Sequence, residues 1–123
     1  MRRFMAVFGT VVASVATLAG TAAAAPARPL GTQATCYATA QRHLVCGNVE
    51  GAAGFRDRSF SSPMTGRLLT TVSEFNCWGH GEPHGGGNDI WYWALLDTTL
   101  RWGNVPAVSV YTTQDPFPGV AEC

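Results

Sequence analysis

The chain contains no lysine, so all of its positive charge is arginine; the plain explanation is the codon bias of a GC-rich genome. Arg2 and Arg3 sit at the extreme N-terminus. The other six arginines (Arg28, Arg42, Arg56, Arg58, Arg67 and Arg101) face eight acidic residues, which leaves the rest of the chain at about −2. A generic nucleic-acid binder needs a basic patch, and the sequence has none. After the N-terminal apolar run nothing is long or apolar enough to span a bilayer. No long amphipathic helix and no repeat of fixed period is present. No G-x-S-x-G elbow surrounds Ser59, Ser61, Ser62, Ser73 or Ser109, so no nucleophilic serine is marked. The four cysteines contain no C-x-x-C pair, which tells against a four-cysteine zinc site.

The N-terminus is informative by its order. Two arginines precede an uncharged apolar stretch over residues 5–20, and small residues around an A-x-A pattern follow at 21–27. This reads as a secretory signal peptide, residues 1–24, with cleavage after Ala24 or Ala27, since Pro26 disfavours cutting after Ala25. Phe4 follows the arginines directly, which departs from twin-arginine spacing, and no cysteine marks a lipid anchor. An exported, soluble, monomeric extracellular protein is expected, with no membrane contact once the signal is removed. About 96 to 99 residues then remain, one domain, with no enzyme domain expected beside it.

A secreted domain of this size buries a limited core and commonly adds disulfides. Four cysteines allow three connectivities. The favoured one joins Cys36 to Cys46 across a local loop and Cys77 to Cys123, the second bond pinning the tail to a central strand. On the chain-entropy scale these loops contribute about 3 and about 4 kcal/mol.

Short strand patterns separated by turns fill the rest. Residues 37–45 read as a hairpin arm ending at Gly47-Asn48, and 55–64 as an irregular exposed loop. Phe75, Cys77 and Gly79 alternate with Glu74, Asn76 and Trp78 as in a strand near its end. Residues 79–89 form a loop with five glycines, and 90–96, IWYWALL, give the strongest strand. Residues 97–99 turn, and 101–110 extend again with expected breaks at Gly103 and Pro106. The expected architecture is all-β, a small barrel or sandwich stapled by two disulfides. The expected division is a flexible segment and disulfide hairpin over 25–46 and a barrel with a Cys-ended tail over 47–123.

Residues 47–110 carry a resemblance. An arginine- and serine-containing loop leads to Gly66-Arg67-Leu68-Leu69, and a strand ends at Cys77. Trp91-Tyr92-Trp93 stands where a W-Y-x-V strand would, and RWGNVPA over 101–107 matches a closing G-x-V-P/S-x segment. The tail PFPGVAEC is Pro-rich and ends in cysteine. Together these resemble the bacterial Src-homology-3-like domains of small secreted actinobacterial proteins. The usual N-V-R-x-G-P opening is only loosely echoed by GAAGFRDRSFSSP. The resemblance implies a Src-homology-3-like β-barrel that serves as a binding module, in some cases for peptidoglycan or its peptide cross-bridges. It also implies that Trp91 is packed, that Trp93 points inward with it, and that Tyr92 points outward.

Three groups of residues are candidates for function. On the 90–96 strand Trp91, Trp93 and Leu95 share one face, and Ile90, Tyr92, Ala94 and Leu96 the other. Aromatic surfaces suit sugar rings and peptide backbones, and Trp78, Tyr92 and Trp102 are the expected exposed ones, with the rest as core. Arg56 and Asp57, in the run Arg56-Asp57-Arg58, are candidate ligand contacts on a charged loop, against the duller reading of a solvated turn. His80, Glu82, His84 and Asp89 carry metal-competent groups. Their spacing is not H-E-x-x-H and Pro83 breaks a helix, so His80 and His84 are weak metal candidates on a turn-rich loop. Pairing Glu82 with Asp89 for glycan hydrolysis is a remote option. The expectation is a non-catalytic module without cofactor. Its partner is cell-wall glycan or peptide, or else one extracellular protein bound through loop 55–63 by a small effector or inhibitor.

Overall fold

The structure, a computed structural model, describes residues 35–123. The expected signal peptide and the stretch up to residue 34 lie outside the described residues. Eight strands follow in order: β1 Tyr37–Ala38, β2 Leu44–Gly47, β3 Ala53–Phe55, β4 Met64–Arg67, β5 Val72–Phe75, β6 Cys77–His80, β7 Ile90–Leu96 and β8 Arg101–Pro106. A single 3-10 turn, Ala107–Ser109, comes after β8.

The strands form two antiparallel sheets, β1-β2-β5 and β4-β3-β8-β7-β6. They share one core. Leu44, Cys46 and Phe75 come from the small sheet, and Ile90, Tyr92, Ala94, Leu96 and Val105 from the large one. The period-two alternation of β7 selects this set, because side chains two apart in a strand lie on one face. Phe75 and Tyr92 meet across the sheets with ring centroids 5.8 Å apart.

The all-β class with two disulfides is therefore correct, but the sheets do not close into a barrel. The reason lies at residue 76. β5 pairs with β2, whereas β6, next in the chain, pairs with β7. Hydrogen bonding is thus handed from one sheet to the other instead of running on around a cylinder, and β1, β5, β4 and β6 are the edge strands. The segment expected as one strand around Cys77 is two strands in two sheets. The expected division at residue 46 falls inside β2, whose pairing with β5 joins the hairpin to the rest. β8 passes through Gly103 without a break and ends at Pro106.

Both expected disulfides are present, Cys36–Cys46 and Cys77–Cys123. The second lays the tail along β6. Trp78 N–H donates to Ala121 O at 3.0 Å, and Cys123 N–H donates to Trp78 O at 2.8 Å. Polar bonds hold the tail's earlier part. Asp115 Oδ1 accepts from Tyr92 Oη at 2.7 Å and Thr112 Oγ1 at 2.6 Å, and its Oδ2 accepts from Asn88 Nδ2 at 3.0 Å. A buried phenol needs such a partner, since an unpaired one forfeits its hydration.

Candidate binding face

The face of the large sheet turned away from the core carries the unusual residues. Register fixes them: Cys77 lies opposite Trp93, Gly79 opposite Trp91, Asn104 opposite Trp93, and Trp102 opposite Leu95. All of these therefore belong to the outer face. Trp91 is nevertheless fully buried, because loop 56–63 folds over it. Phe60 packs on its ring at 4.9 Å and Phe55 meets it edge-on at 6.0 Å. The Trp91 Nε1–H donates to Glu82 O at 2.9 Å. Glu82 also holds the loop: its carboxylate accepts from Ser59 Oγ at 2.8 Å and from Phe60 N–H at 2.9 Å. Glu82 N–H in turn donates to Arg58 O at 2.8 Å. The loop is irregular and largely exposed, as expected, and it is also tied down as an arm.

Further along the face, Trp93 and Trp102 stack with centroids 6.0 Å apart and planes 14° from parallel. Trp102 is 41% exposed and Leu95 beside it 42%. Trp93 also lines a groove of about 580 Å³, together with Arg56, Asp57, Arg58, Asn104 and the Cys77–Cys123 bridge. Arg56 pairs with Asp57 at 3.1 Å. Asn104 is held by Nδ2 bonds to the carbonyls of Phe55 and Arg56, at 3.3 and 3.1 Å. The result is a flat apolar strip running into a polar, cationic trough.

Comparison gives no identity: no family model, curated protein or solved structure matches the chain. The face must be read from its own chemistry.

Arg56 and Asp57 stand in the groove and Trp102 on the adjoining strip, as a single surface. Tyr92 does not join them. Its side chain is wholly buried, because the core lies on the Tyr92 side of β7 and Trp91 is covered separately from the other side. Trp93, expected inward with Trp91, is half-exposed. Trp78 is half-buried on the core side, its Nε1–H donating to Val120 O at 3.1 Å. Trp93, Arg58 and Asn104 are the residues the sequence did not single out. Alternation already placed Trp93 on the face opposite Tyr92, but did not say which face was outer.

The histidines have other tasks. His84 Nδ1 accepts from Gly86 N–H at 3.2 Å, so its Nε2 carries the proton given to Ile90 O at 2.8 Å. His80 Nδ1 meets Asp89 Oδ1 at 2.9 Å. That bond, chiefly, holds the Asp89 carboxyl below its usual range. Among the described residues no three His, Cys, Asp or Glu side chains converge for a metal. Glu82 binds Ser59 and Phe60, whereas Asp89 binds His80.

Proposed function

We propose that the protein is a secreted, non-catalytic binding module whose outer sheet face takes a glycan of the cell wall. The observation that carries this reading is the near-parallel, partly exposed Trp93–Trp102 pair opening into the arginine-lined groove. Flat indoles present apolar area to the C–H faces of sugar rings, and nearby polar groups fix orientation. Within the groove Asp57 is paired with Arg56, and His80 is paired with Asp89 at its rim. Two disulfides are compatible with the oxidising exterior that secretion implies. The Src-homology-3-like resemblance belongs to the same proposal, as a module type.

Co-sedimentation of the oxidised protein with insoluble peptidoglycan tests it. Saturable binding by the wild type, lost in a folded Trp102→Ala variant, supports the reading; no sedimentation overturns it. A second reading, an effector gripping one extracellular protein, is favoured by Phe60, 45% exposed on the tied arm. It predicts indifference to peptidoglycan and loss of a soluble partner on Phe60→Ala.

A further inference from the structure

The groove holds an arginine that forms no ion pair among the described residues. Arg56 is neutralised by Asp57, and the other ion pairs among the described residues are His43–Glu74 and His80–Asp89. Arg58 is in none of them. Its Nε is buried without a hydrogen-bond partner among the described residues. A buried N–H without an acceptor carries a cost, and Arg58 is otherwise half-buried where it lines the groove.

The position of this group is set by its neighbour. Gly79 on β6 lies directly beneath the guanidinium, and a Cβ built there would fall 2.2 Å from Arg58 Cζ and 2.5 Å from Nη2. Only a residue without a side chain lets the charge rest against the sheet. Arg58 is tethered from the other direction as well, through the bond of its carbonyl with Glu82 N–H at 2.8 Å. The charge is therefore seated, not waving in solvent.

We infer that Arg58 is a carboxylate receptor, and that the ligand of this face is an acidic glycan whose ring lies on Trp93 and Trp102 while its carboxylate pairs with Arg58. This rests on the binding-module reading and deepens it. Guanidinium matches a carboxylate through parallel N–H···O bonds, a geometry that lysine does not offer. A glycan is favoured over a peptide by the backbone around the groove. β7 is paired on both sides, by β6 and β8, and β6 is covered by the tail through Trp78. The strands flanking the groove thus offer no free edge for a peptide to extend. What they offer is flat apolar area and the Arg58 guanidinium.

The test is titration of the intact oxidised protein, followed by tryptophan fluorescence and amide chemical shifts. The probes are an N-acetylglucosaminyl–N-acetylmuramic acid disaccharide, the same disaccharide with its lactyl carboxylate converted to the amide, and tri-alanine. The acid is expected to bind about ten-fold more tightly than the amide. Arg58→Gln should abolish that difference, and Arg58→Lys should restore part of it. Gly79→Ala keeps the charge but displaces it, and should also erase the difference while near-ultraviolet dichroism reports an intact fold. This second variant keeps the test decisive if Arg58→Gln fails to fold. Equal binding of acid and amide by the wild type would overturn the receptor and leave the tryptophan strip standing. Arg58-dependent binding of tri-alanine alone would overturn the glycan. No response to either sugar would overturn the inference, while peptidoglycan co-sedimentation of the Trp102 variant separately decides the module reading.

Discussion

The phenol of Tyr92 donates to Asp115 Oδ1 at 2.7 Å and accepts from Phe117 N–H at 3.0 Å, so one buried oxygen joins β7 to the tail on both sides. Replacing it by phenylalanine keeps the ring and removes both bonds. Tyr92→Phe is expected to lower stability by about 1 to 3 kcal/mol, since the Phe117 N–H is left without this partner. Urea unfolding of the oxidised variant measures this as a lower midpoint with unchanged slope.

The same oxygen makes stability sensitive to alkali. Burial first, then the hydrogen bond and charge of Asp115, push the Tyr92 phenol well above its usual 10.0. The folded state therefore keeps a proton that the unfolded state gives up at that pH. The contribution is complete below pH 10 and shrinks as pH rises from there toward the folded value. Tyr92→Phe should flatten that decline, as seen in thermal midpoints taken between pH 8 and pH 11.

Gly81 sits under the tied arm. A Cβ there would lie 2.3 Å from Arg58 Cβ and 2.5 Å from Arg58 O, a backbone atom that cannot swing aside. Gly81→Ala is expected to cost about 1 to 3 kcal/mol by pushing the arm off Trp91. Tryptophan emission should shift to the red in the native state.

Trp102→Ala and Tyr92→Ala separate binding from folding. Trp102 is 41% exposed, and its loss should cost about 1 kcal/mol of stability yet weaken ligand binding about ten-fold or more. Tyr92→Ala opens the core and should cost about 3 to 5 kcal/mol. Calorimetry of both variants, run beside the binding assay, would show a melting temperature lowered several-fold more by Tyr92→Ala than by Trp102→Ala.

Converting Cys77 and Cys123 together to alanine releases a loop of 46 residues. The expected loss is about 4 kcal/mol. Denaturant unfolding should show it, and reduced wild type should unfold at the same midpoint as the double variant, once the Cys36–Cys46 bond is removed from both.

Much of this architecture is legible in the residues. The β7 pattern and the turn at 97–99 follow from local chemistry, and the favoured one of the three cysteine pairings, Cys77 with Cys123, is the one present. The orientation of β7 does not follow. Alternation yields two faces, and both Trp91 and Tyr92 are fully buried, so burial on one side carries no information about the other. Trp91 owes its burial to an arm over twenty residues earlier in the chain, a long-range fact with no local signature. The handover between sheets at residue 76 is hidden for the same reason. β5 takes its partner, β2, from far earlier in the chain, whereas β6 pairs with the next strand, β7. Arg58 escaped notice because its meaning depends on Gly79, a contact that neither residue type announces.

The bond between Cys77 and Cys123 also decides how the protein bears load. Tension arriving at Cys123 passes through sulfur directly to the start of β6, because the covalent bridge is far shorter than the 46-residue detour. The enclosed segment holds β7, β8 and the stacked Trp93–Trp102 pair, and it lies outside that line of force. A pull between the chain preceding Cys77 and Cys123 would leave the Trp93–Trp102 strip slack while the bridge takes the strain.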